Sequence, residues 1–241
     1  MLEFKDMIDF DEKVVSFDNL TYNFRPFLED VFECDDLENV HKTHAHLVPD
    51  SATLSKPWPH NENTSNFHSI FYKKLNEPWE EIIDLYDSFI CNCVSDLIEE
   101  DFLYQKFPTF RVHLPDMKAV TKWHYDADRD HRHPLGEINF ILPITNMYET
   151  STVWCETAPH RHDYSPIEAK SNQFIKFNGN RRHHGNKENK TNQTRFSLDF
   201  RILPVKHTPA AGLFPEIFGS SATKNKKWEA GGYYNMFRKK D

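Results

Sequence analysis

The clearest periodic pattern in the chain lies between Glu77 and Phe102. Apolar residues recur there every three or four positions, and acidic residues take the positions between them, as in a helix that buries one face. The apolar positions are Trp79, Ile82, Ile83, Tyr86, Phe89, Ile90, Cys93, Val94, Leu97 and Ile98. Pro78 falls where the first turn of a helix tolerates proline. The pattern predicts a long helix over 77–102 that packs on a sheet, and a shorter helix is expected within 20–34.

After Phe107 the pattern changes to short runs rich in Phe, Ile and Val, separated by clusters of Pro, Gly, Asn and Asp. Runs of this kind predict strands. The predicted strands are Thr109–Leu114, Ala119–His124, Glu137–Ile144, Ser151–Glu156, Gln173–Phe177 and Arg195–Leu203. No helical pattern separates them, so we expect an antiparallel sandwich or barrel. The chain has only 7 Gly and no phosphate-binding glycine motif, which argues against a nucleotide-binding α/β fold.

Composition narrows the class of protein. A chain of 241 residues with 14 % aromatic residues is long enough to bury a core and is too aromatic for a disordered protein. It has no apolar run near the roughly 18 residues of a membrane span, and no apolar stretch typical of a signal peptide. The four Cys include no C-x-x-C pair. We therefore expect a reduced, cytoplasmic protein without a membrane partner.

Charge is distributed unevenly along the chain. Up to Gln105 there are 23 acidic and 7 basic residues, and after it 14 acidic and 22 basic residues. A solvated acidic face on the N-terminal half explains this plainly. A second interpretation is that the C-terminal half binds an anion. Nucleic acid is not expected, because no basic stripe with interleaved aromatic residues is present, and a small carboxylate or phosphate fits better.

Two His-x-Asp/Glu matches occur, about as many as this composition gives by chance. His60-Asn61-Glu62 lies in a polar, Asn-rich stretch, whereas His124-Tyr125-Asp126 ends a predicted strand. On a strand, residues i and i+2 point to the same face, so His124 and Asp126 would present an imidazole and a carboxylate to one site. A third ligand is available about 60 residues later in Arg182-His183-His184-Gly185.

The segment Arg195–Arg201 alternates strictly between polar and apolar residues. Arg195, Ser197, Asp199 and Arg201 would share one face, and Phe196, Leu198 and Phe200 the other. A buried arginine is costly unless it is paired, so this face indicates an anion inside the fold. Two imidazoles and one carboxylate leave three positions open on a metal ion, as in the non-haem Fe(II) oxygenases.

From about Phe107 to Pro204 the chain resembles the Fe(II)/2-oxoglutarate-dependent dioxygenases. The motifs that carry the resemblance are, in order, FPTFRVHLP, WHYDAD, GEINFILPITN, TVWCET and FNGNRRHHGNKENKTNQTRFSLDFRILP. Within that superfamily they resemble the phytanoyl-CoA-hydroxylase-like branch, and in it the streptomycin-biosynthesis StrG type. The resemblance implies a double-stranded β-helix, also called a jelly roll, which is cupin-like.

The resemblance implies roles for particular residues. His124, Asp126 and His184 match the Fe(II) ligands, with His184 favoured over its neighbour His183 by the His-Gly pattern. Arg195 and Ser197 match the R-x-S pair that binds the far carboxylate of 2-oxoglutarate, although Arg201 shares their face and could replace Arg195. O₂ is the remaining cosubstrate. A carboxylate at Asp126 favours hydroxylation, because related halogenases have a small residue there; desaturation or ring chemistry stays open.

Further positions have two interpretations each. Arg195 could instead form a structural salt bridge with Asp199. Asn139 could bind the cosubstrate or be a hydrogen-bonded polar residue of the core. Arg111 could contact the substrate or form a structural ion pair. Trp154 and Glu156 could line the substrate pocket, or could be a packing residue and a surface acid. His131, His133, His160 and His162 are expected in loops, not as a second zinc site.

Together these patterns predict a mainly β fold with flanking α-helices in a single domain over 1–241. Its parts would be a helical N-terminal buttress (1–106), a jelly-roll catalytic core (107–204) and a C-terminal extension (205–241). The expected activity is hydroxylation of a small polar molecule, such as an aminocyclitol, sugar or amino acid. The alternatives are a non-catalytic cupin-like metal- or sugar-binding protein and a Zn²⁺ hydrolase on the same ligands. The oligomeric state, monomer or homodimer, stays open.

Overall fold

The computed structural model describes residues 11–49, 65–75, 80–119, 122–131, 133–207 and 233–239. Its α-helices are α1 (Arg25–Phe32), α2 (Val40–Thr43), α3 (Asn66–Leu75) and α4 (Glu80–Phe89). Short 3-10 helices lie at Leu37–Asn39, Ala45–Leu47, Ser95–Leu97, Glu149–Ser151 and Val205–His207, and a π-helix lies at Ile90–Val94. In these ranges no helix is both long enough and apolar enough to cross a bilayer.

The long helix predicted over 77–102 is confirmed in its middle and wrong at its end. Helix α4 continues through the π-helix and a 3-10 turn to Leu97, and its beginning, with Pro78 and Trp79, lies outside the described residues. Phe102 instead begins a strand, because Phe102, Leu103 and Tyr104 pair with a strand far along the sequence. The shorter helix expected within 20–34 is confirmed as α1.

The strands are β1 (Lys13–Ser16), β2 (Phe102–Gln105), β3 (Thr109–His113), β4 (Ile138–Pro143), β5 (Val153–Cys155), β6 (Ser165–Ile167), β7 (Gln173–Phe177), β8 (His184–Asn186), β9 (Arg195–Pro204) and β10 (Tyr234–Phe237). Five of the six predicted strands are confirmed as β3, β4, β5, β7 and β9. The sequence did not predict β1, β2, β6, β8 or β10. These are three or four residues long, too short to show a period.

The predicted strand Ala119–His124 is not formed in its described part. Only His124 is paired there, in a single antiparallel bridge with His184. Asp126 then begins a turn that continues to Asp130. The chain leaves the sheet here because the backbone of 126–127 donates to the 179–180 turn instead of to a neighbouring strand.

All strand pairs are antiparallel, and they form two sheets. The larger sheet has the order β1-β7-β4-β9-β2-β10, with β3 paired to β9 as well. The smaller sheet has the order β6-β5-β8. The sheets pack face to face through a cluster of small and medium apolar side chains from both, including Ile141, Ile175, Val153 and Cys155. The described residues therefore form antiparallel sheets with flanking helices.

The central strand β9 separates the two environments of the larger sheet. Phe196, Leu198 and Phe200 belong to the main apolar cluster on the helical side, as the alternation predicts. The ring centroids of Phe32 (α1) and Phe196 are 5.5 Å apart and nearly parallel. The ring of Tyr86 (α4) meets Phe200 edge-on at 5.6 Å. The helices thus cover one face of the sheet, and its other face, toward β5 and β8, carries the polar residues of β9.

We expect Ile90→Asp to destabilise the helical half and the sheets together. Ile90 is fully buried in the main apolar cluster, so the substitution would bury an unpaired charge and should lower the free energy of unfolding by about 4 kcal/mol or more. Asn92→Asp, on the exposed side of the same turn, is the control and should change it by less than about 0.5 kcal/mol. Urea unfolding followed by circular dichroism and by tryptophan fluorescence would measure both. Two separate transitions would contradict cooperative unfolding.

Candidate metal centre and the adjoining cavity

Backbone hydrogen bonds bring His124, Asp126 and His184 together. The N–H groups of His124 and His184 each donate to the other's carbonyl oxygen at 3.0 Å, which places the two imidazoles side by side. The Asp126 N–H donates to the carbonyl of Gly179 at 3.0 Å. One ligand atom from each of the three residues lies within 4.8 Å of the other two. Residues separated by up to 60 positions therefore share one point between the sheets.

Both imidazoles turn Nε2 toward the Asp126 carboxylate and Nδ1 toward a backbone carbonyl. His124 Nδ1 lies 2.9 Å from the carbonyl oxygen of Lys122, and His184 Nδ1 lies 3.1 Å from that of Arg182. A carbonyl oxygen only accepts hydrogen bonds, so each Nδ1 carries a proton, and a neutral ring then has its lone pair on Nε2. Burial and the neighbouring His124 lower the pKa of His184 to about 3, so His184 is neutral near pH 7.

The two oxygens of Asp126 have different surroundings. Oδ2 accepts from Arg201 Nε at 2.8 Å and from Asn139 Nδ2 at 2.7 Å. Oδ1 is buried and accepts no hydrogen bond in the described structure. Burial is the largest single influence and would raise the pKa of Asp126, but Arg201 together with the neighbouring histidines outweighs it and holds that pKa well below its usual value. The carboxylate is therefore ionised, and one of its oxygens has no donor.

Three side chains that can each donate an electron pair to a metal ion thus converge. Asp126 Oδ1 lies 3.2 Å from His124 Nε2 and 3.7 Å from His184 Nε2. Such an arrangement is repulsive unless a cation occupies its centre, and two imidazoles with one carboxylate suit Fe(II). Gly179 makes room for this packing, because a Cβ there would lie 2.9 Å from His184 Cε1. The residues present therefore fit a divalent metal ion.

A cavity of about 520 Å³ adjoins the metal centre. It lies between the sheets, and its wall includes His124, His184, Asn139, Arg111, Arg195, Asp199 and Arg201. Three of the wall residues are arginines, so the partners of each decide which of them can take an anion.

Two of the three arginines already have carboxylate partners. Arg111 Nε donates to Asp199 Oδ2 at 3.1 Å. Of the two interpretations of Arg111, this contact is the structural ion pair. Arg201 Nε donates to Asp126 Oδ2, as described above, and lies 3.9 Å from Glu137 Oε2. The carboxylate that occupies Arg201 is thus the one that faces the metal centre, so Arg201 orients Asp126.

Arg195 is the arginine of this wall without a direct carboxylate partner. Its guanidinium donates to the Ser151 carbonyl at 3.0 Å and to Ser197 Oγ at 2.7 Å. Ser197 Oγ donates in turn to Asp199 Oδ1 at 3.0 Å, so Arg195 reaches Asp199 only through this hydroxyl. The side chain is almost fully buried. Burial lowers the pKa of Arg195 to about 10, which leaves it charged at pH 7 and in need of an anion.

The other predicted site residues lie in three different places. Asn139 lines the cavity, but its Nδ2 serves Asp126; its Oδ1 is buried and accepts no hydrogen bond among the described residues. Trp154 is absent from the described cavity wall, where Val153 of the same strand stands instead. Lys187 Nζ lies over the Trp154 ring in a cation–π contact, 3.1 Å from the ring centroid.

Glu156 also lies away from this cavity wall, and it is not a surface acid. It is completely buried. Its carboxylate accepts the backbone N–H groups of His183, His162 and His160 at 2.9, 3.0 and 3.2 Å. Burial alone would raise the pKa of Glu156, but these three donors outweigh it and lower the pKa below its usual value. Glu156 is therefore a buried, ionised carboxylate outside the cavity.

Sequence reasoning missed the residues that support the metal ligands. Glu137 is completely buried; it bonds His133 Nδ1 at 2.8 Å and accepts the Tyr234 hydroxyl. Strand β10 near the C-terminus therefore reaches Arg201 through Glu137. In the sequence, Glu137 is one acid among 37, and only its position beside the apolar run of β4 sets it apart.

Comparison with known proteins gives a relative in sequence, although no protein-family model matches the chain. The streptomycin biosynthesis protein StrG of Streptomyces griseus is 33 % identical over 143 residues. The match covers 59 % of this chain and 65 % of StrG. It thus spans slightly less than two thirds of the length of StrG.

Solved structures resemble the chain more distantly. They include a non-heme monooxygenase, the ThoJ–Ni complex, at a TM-score of 0.46 and 13 % identity, covering 94 % of this chain and 79 % of that one. CytC3 with Fe(II) and alpha-ketoglutarate has a TM-score of 0.43 and 14 % identity, and the match covers 92 % of this chain and 85 % of that one. AviO1 from Streptomyces viridochromogenes Tue57 has a TM-score of 0.42 and 12 % identity, and the match covers 88 % of this chain and 96 % of that one. At these values the likeness does not establish an activity.

The sequence match includes more than half of this chain. The resemblance to the StrG type is thereby confirmed, and the chain is a homologue of StrG over these 143 residues.

Proposed function

We propose that this protein is a non-haem Fe(II)/2-oxoglutarate-dependent dioxygenase that hydroxylates a C–H bond of a small polar molecule. The observation that carries the proposal is the pairing of two unsatisfied features in one cavity. Among the described residues, the buried Asp126 Oδ1 accepts no hydrogen bond and faces two imidazole Nε2 atoms, and the buried Arg195 has no carboxylate as a direct partner. A metal ion and a dicarboxylate would satisfy both.

The fold supports the same proposal. Two antiparallel sheets packed face to face, with the metal centre between them, are what a double-stranded β-helix requires. We infer that the described strands form such a jelly roll. The helices on the outer face of the larger sheet then act as the buttress of the catalytic core.

Each residue of the site has a role in this proposal. His124, Asp126 and His184 would hold Fe(II), and Arg201 and Asn139 fix Asp126 so that Oδ1 faces the ion. Arg195, positioned by Ser197, would bind the far carboxylate of 2-oxoglutarate, since a guanidinium fork suits a carboxylate. When bound, Fe(II) with 2-oxoglutarate and O₂ supplies the oxidising power that inserts oxygen into a C–H bond, with release of succinate and CO₂.

The substrate class rests on the homologue. StrG is named for streptomycin biosynthesis, which suggests an aminocyclitol, a sugar or an amino-acid-like compound. The polar wall of the cavity is compatible with such a molecule, because Asn139 Oδ1 and Asp199 can accept hydrogen bonds from hydroxyl or amino groups.

We expect His124→Ala to abolish 2-oxoglutarate turnover while the protein stays folded. The ligands lie at the ends of short pairings and outside the main apolar cluster, so the loss should concern the metal and not the core. Succinate formation with Fe(II), ascorbate and O₂ measures turnover, and circular dichroism checks the fold.

His60→Ala is the control, because it removes the histidine of the other His-x-Glu match. It should leave succinate formation unchanged. If wild type forms no succinate under these conditions but binds the metal, the protein is a metal-binding protein without turnover. Hydrolysis that needs the metal and no 2-oxoglutarate would indicate a Zn²⁺ hydrolase instead.

We expect Arg195→Ala and Arg201→Ala to weaken the binding of different ligands. Arg195→Ala should weaken 2-oxoglutarate binding by about 2–5 kcal/mol, the cost of leaving one member of a buried charge pair alone. Lys at that position should rescue only partly, because an ammonium cannot form the fork. Arg201→Ala should mainly lower Fe(II) affinity, by about 10–100-fold, because Asp126 loses its orienting partner.

Separate titrations of Fe(II) and of 2-oxoglutarate under anaerobic conditions would distinguish the two variants. If Arg195→Ala binds 2-oxoglutarate like wild type and Arg201→Ala does not, the assignment of the two arginines is reversed.

A further inference from the structure

A second cluster of metal-ligating side chains lies on the other side of strand β8 from the first. His184 turns toward Asp126, and its neighbour His183 turns away from it, as adjacent residues of a strand do. One ligand atom each from Glu156, His162 and His183 lies within 4.8 Å of the other two. The proposed oxygenase chemistry uses none of these three residues.

Both imidazoles turn Nδ1 toward the same neighbour, the Tyr164 hydroxyl, which a bound ion would displace. Tyr164 Oη lies 3.1 Å from His162 Nδ1 and 2.5 Å from His183 Nδ1. Glu156 Oε1 lies 3.3 Å from His162 Nδ1. Two atoms bound about 2.1 Å from a tetrahedral Zn²⁺ ion are about 3.4 Å apart, so the spacing of the carboxylate and the imidazole already suits the ion.

Charge provides an independent observation. The Glu156 carboxylate is completely buried, and in the described part of the chain no Lys or Arg side chain lies within 4.0 Å of it. Buried carboxylates are normally paired with a cation or bound to a metal. The groups that face the Glu156 carboxylate are backbone N–H groups and the largely exposed His162 side chain. The His162 side chain is 67 % exposed, which leaves a route for an ion from solvent.

The loop that carries His162 is held in an unusual conformation. His160 and His162 have φ angles of 63° and 58°, in the left-handed region that residues other than glycine seldom adopt. The Glu156 carboxylate accepts the N–H of each. The same carboxylate thus fixes the loop and presents His162 toward His183.

We propose that Glu156, His162 and His183 form a second, structural site for Zn²⁺, separate from the His124–Asp126–His184 centre. Two imidazoles and one carboxylate are ordinary zinc ligands, and water completes the coordination. An ion here would tie the 157–162 loop to His183, one residue before the metal ligand His184. The site thus makes no use of 2-oxoglutarate and does not depend on the proposed oxygenase activity.

The test is the number of Zn²⁺ ions bound by the full chain after removal of metal and equilibration with Zn²⁺ alone. Wild type should bind two ions, because the first centre also accepts zinc. His162→Gly removes one imidazole but keeps both the left-handed backbone and the N–H to Glu156, and it should bind one ion. Asp126→Asn should also bind one ion, and the double variant none.

His160→Gly is the matched control. It lies in the same loop with the same backbone conformation and the same N–H to Glu156, but its imidazole faces the Tyr125 hydroxyl at 3.2 Å. It should still bind two ions. The visible spectrum of the Co²⁺-substituted Asp126→Asn variant should show the intense bands of four-coordinate cobalt, and these should vanish with His162→Gly.

The proposal is overturned if Asp126→Asn binds no ion, if His162→Gly binds as many ions as wild type, or if His160→Gly loses an ion as His162→Gly does. The last result would show unspecific binding to a histidine-rich loop. Loss of the first centre in Asp126→Asn leaves the second ion in place, so failure of this inference and failure of the oxygenase proposal give different results.

Discussion

Strand β9 is almost entirely buried, and yet it carries two arginines. The need to neutralise these charges organises the interior between the two sheets. Arg201 is balanced by Asp126 and Glu137, which are contributed by two segments far from β9 in sequence. Arg195 is held by a carbonyl and a hydroxyl, neither of which carries charge. Among the described residues, one arginine is thus paired with carboxylates, and the other has only uncharged groups as direct partners.

The ion pair between Arg201 and Asp126 also determines how the metal centre works. A buried carboxylate with two free oxygens could rotate or take up a proton. Hydrogen bonds from Arg201 and Asn139 to Oδ2 prevent both and leave Oδ1 directed toward the two imidazoles. The imidazoles are fixed in the same manner by carbonyl groups at Nδ1. All three ligands are therefore oriented in advance of metal binding, which lowers the cost of that binding.

The opposite face of β9 explains why the helices belong to the same folding unit. Phe196 and Phe200 contribute to the large aromatic cluster on the helical side, and they alternate with the arginines along one strand. Any movement of the helices that shifts these rings would also shift Arg195 and Arg201, because successive residues of a strand are rigidly linked. The packing of the apolar core and the geometry of the polar cavity are thus coupled through a single strand.

Local patterns in the sequence determined several features directly. The alternation in Arg195–Arg201 predicted which side chains face the cavity, and the short spacing of His124 and Asp126 predicted that they share a site. These features depend on the geometry of one strand or turn. The sequence could not show that Phe102 begins a strand, because the pairing partner lies about 100 residues away. The alternation did not separate Arg195 from Arg201, since both lie on one face, and the resemblance favoured Arg195 without a physical reason.

Only the tertiary structure separated the two arginines, by placing Asp126 against one and a hydroxyl against the other. The tertiary structure also places Trp154 and Glu156 outside the described cavity wall, and it places Glu156 beside two histidines. Sequence determines the face of a strand on which a side chain lies, because that follows from local backbone geometry. It does not determine which distant group meets that side chain, because that depends on how the sheets and loops pack.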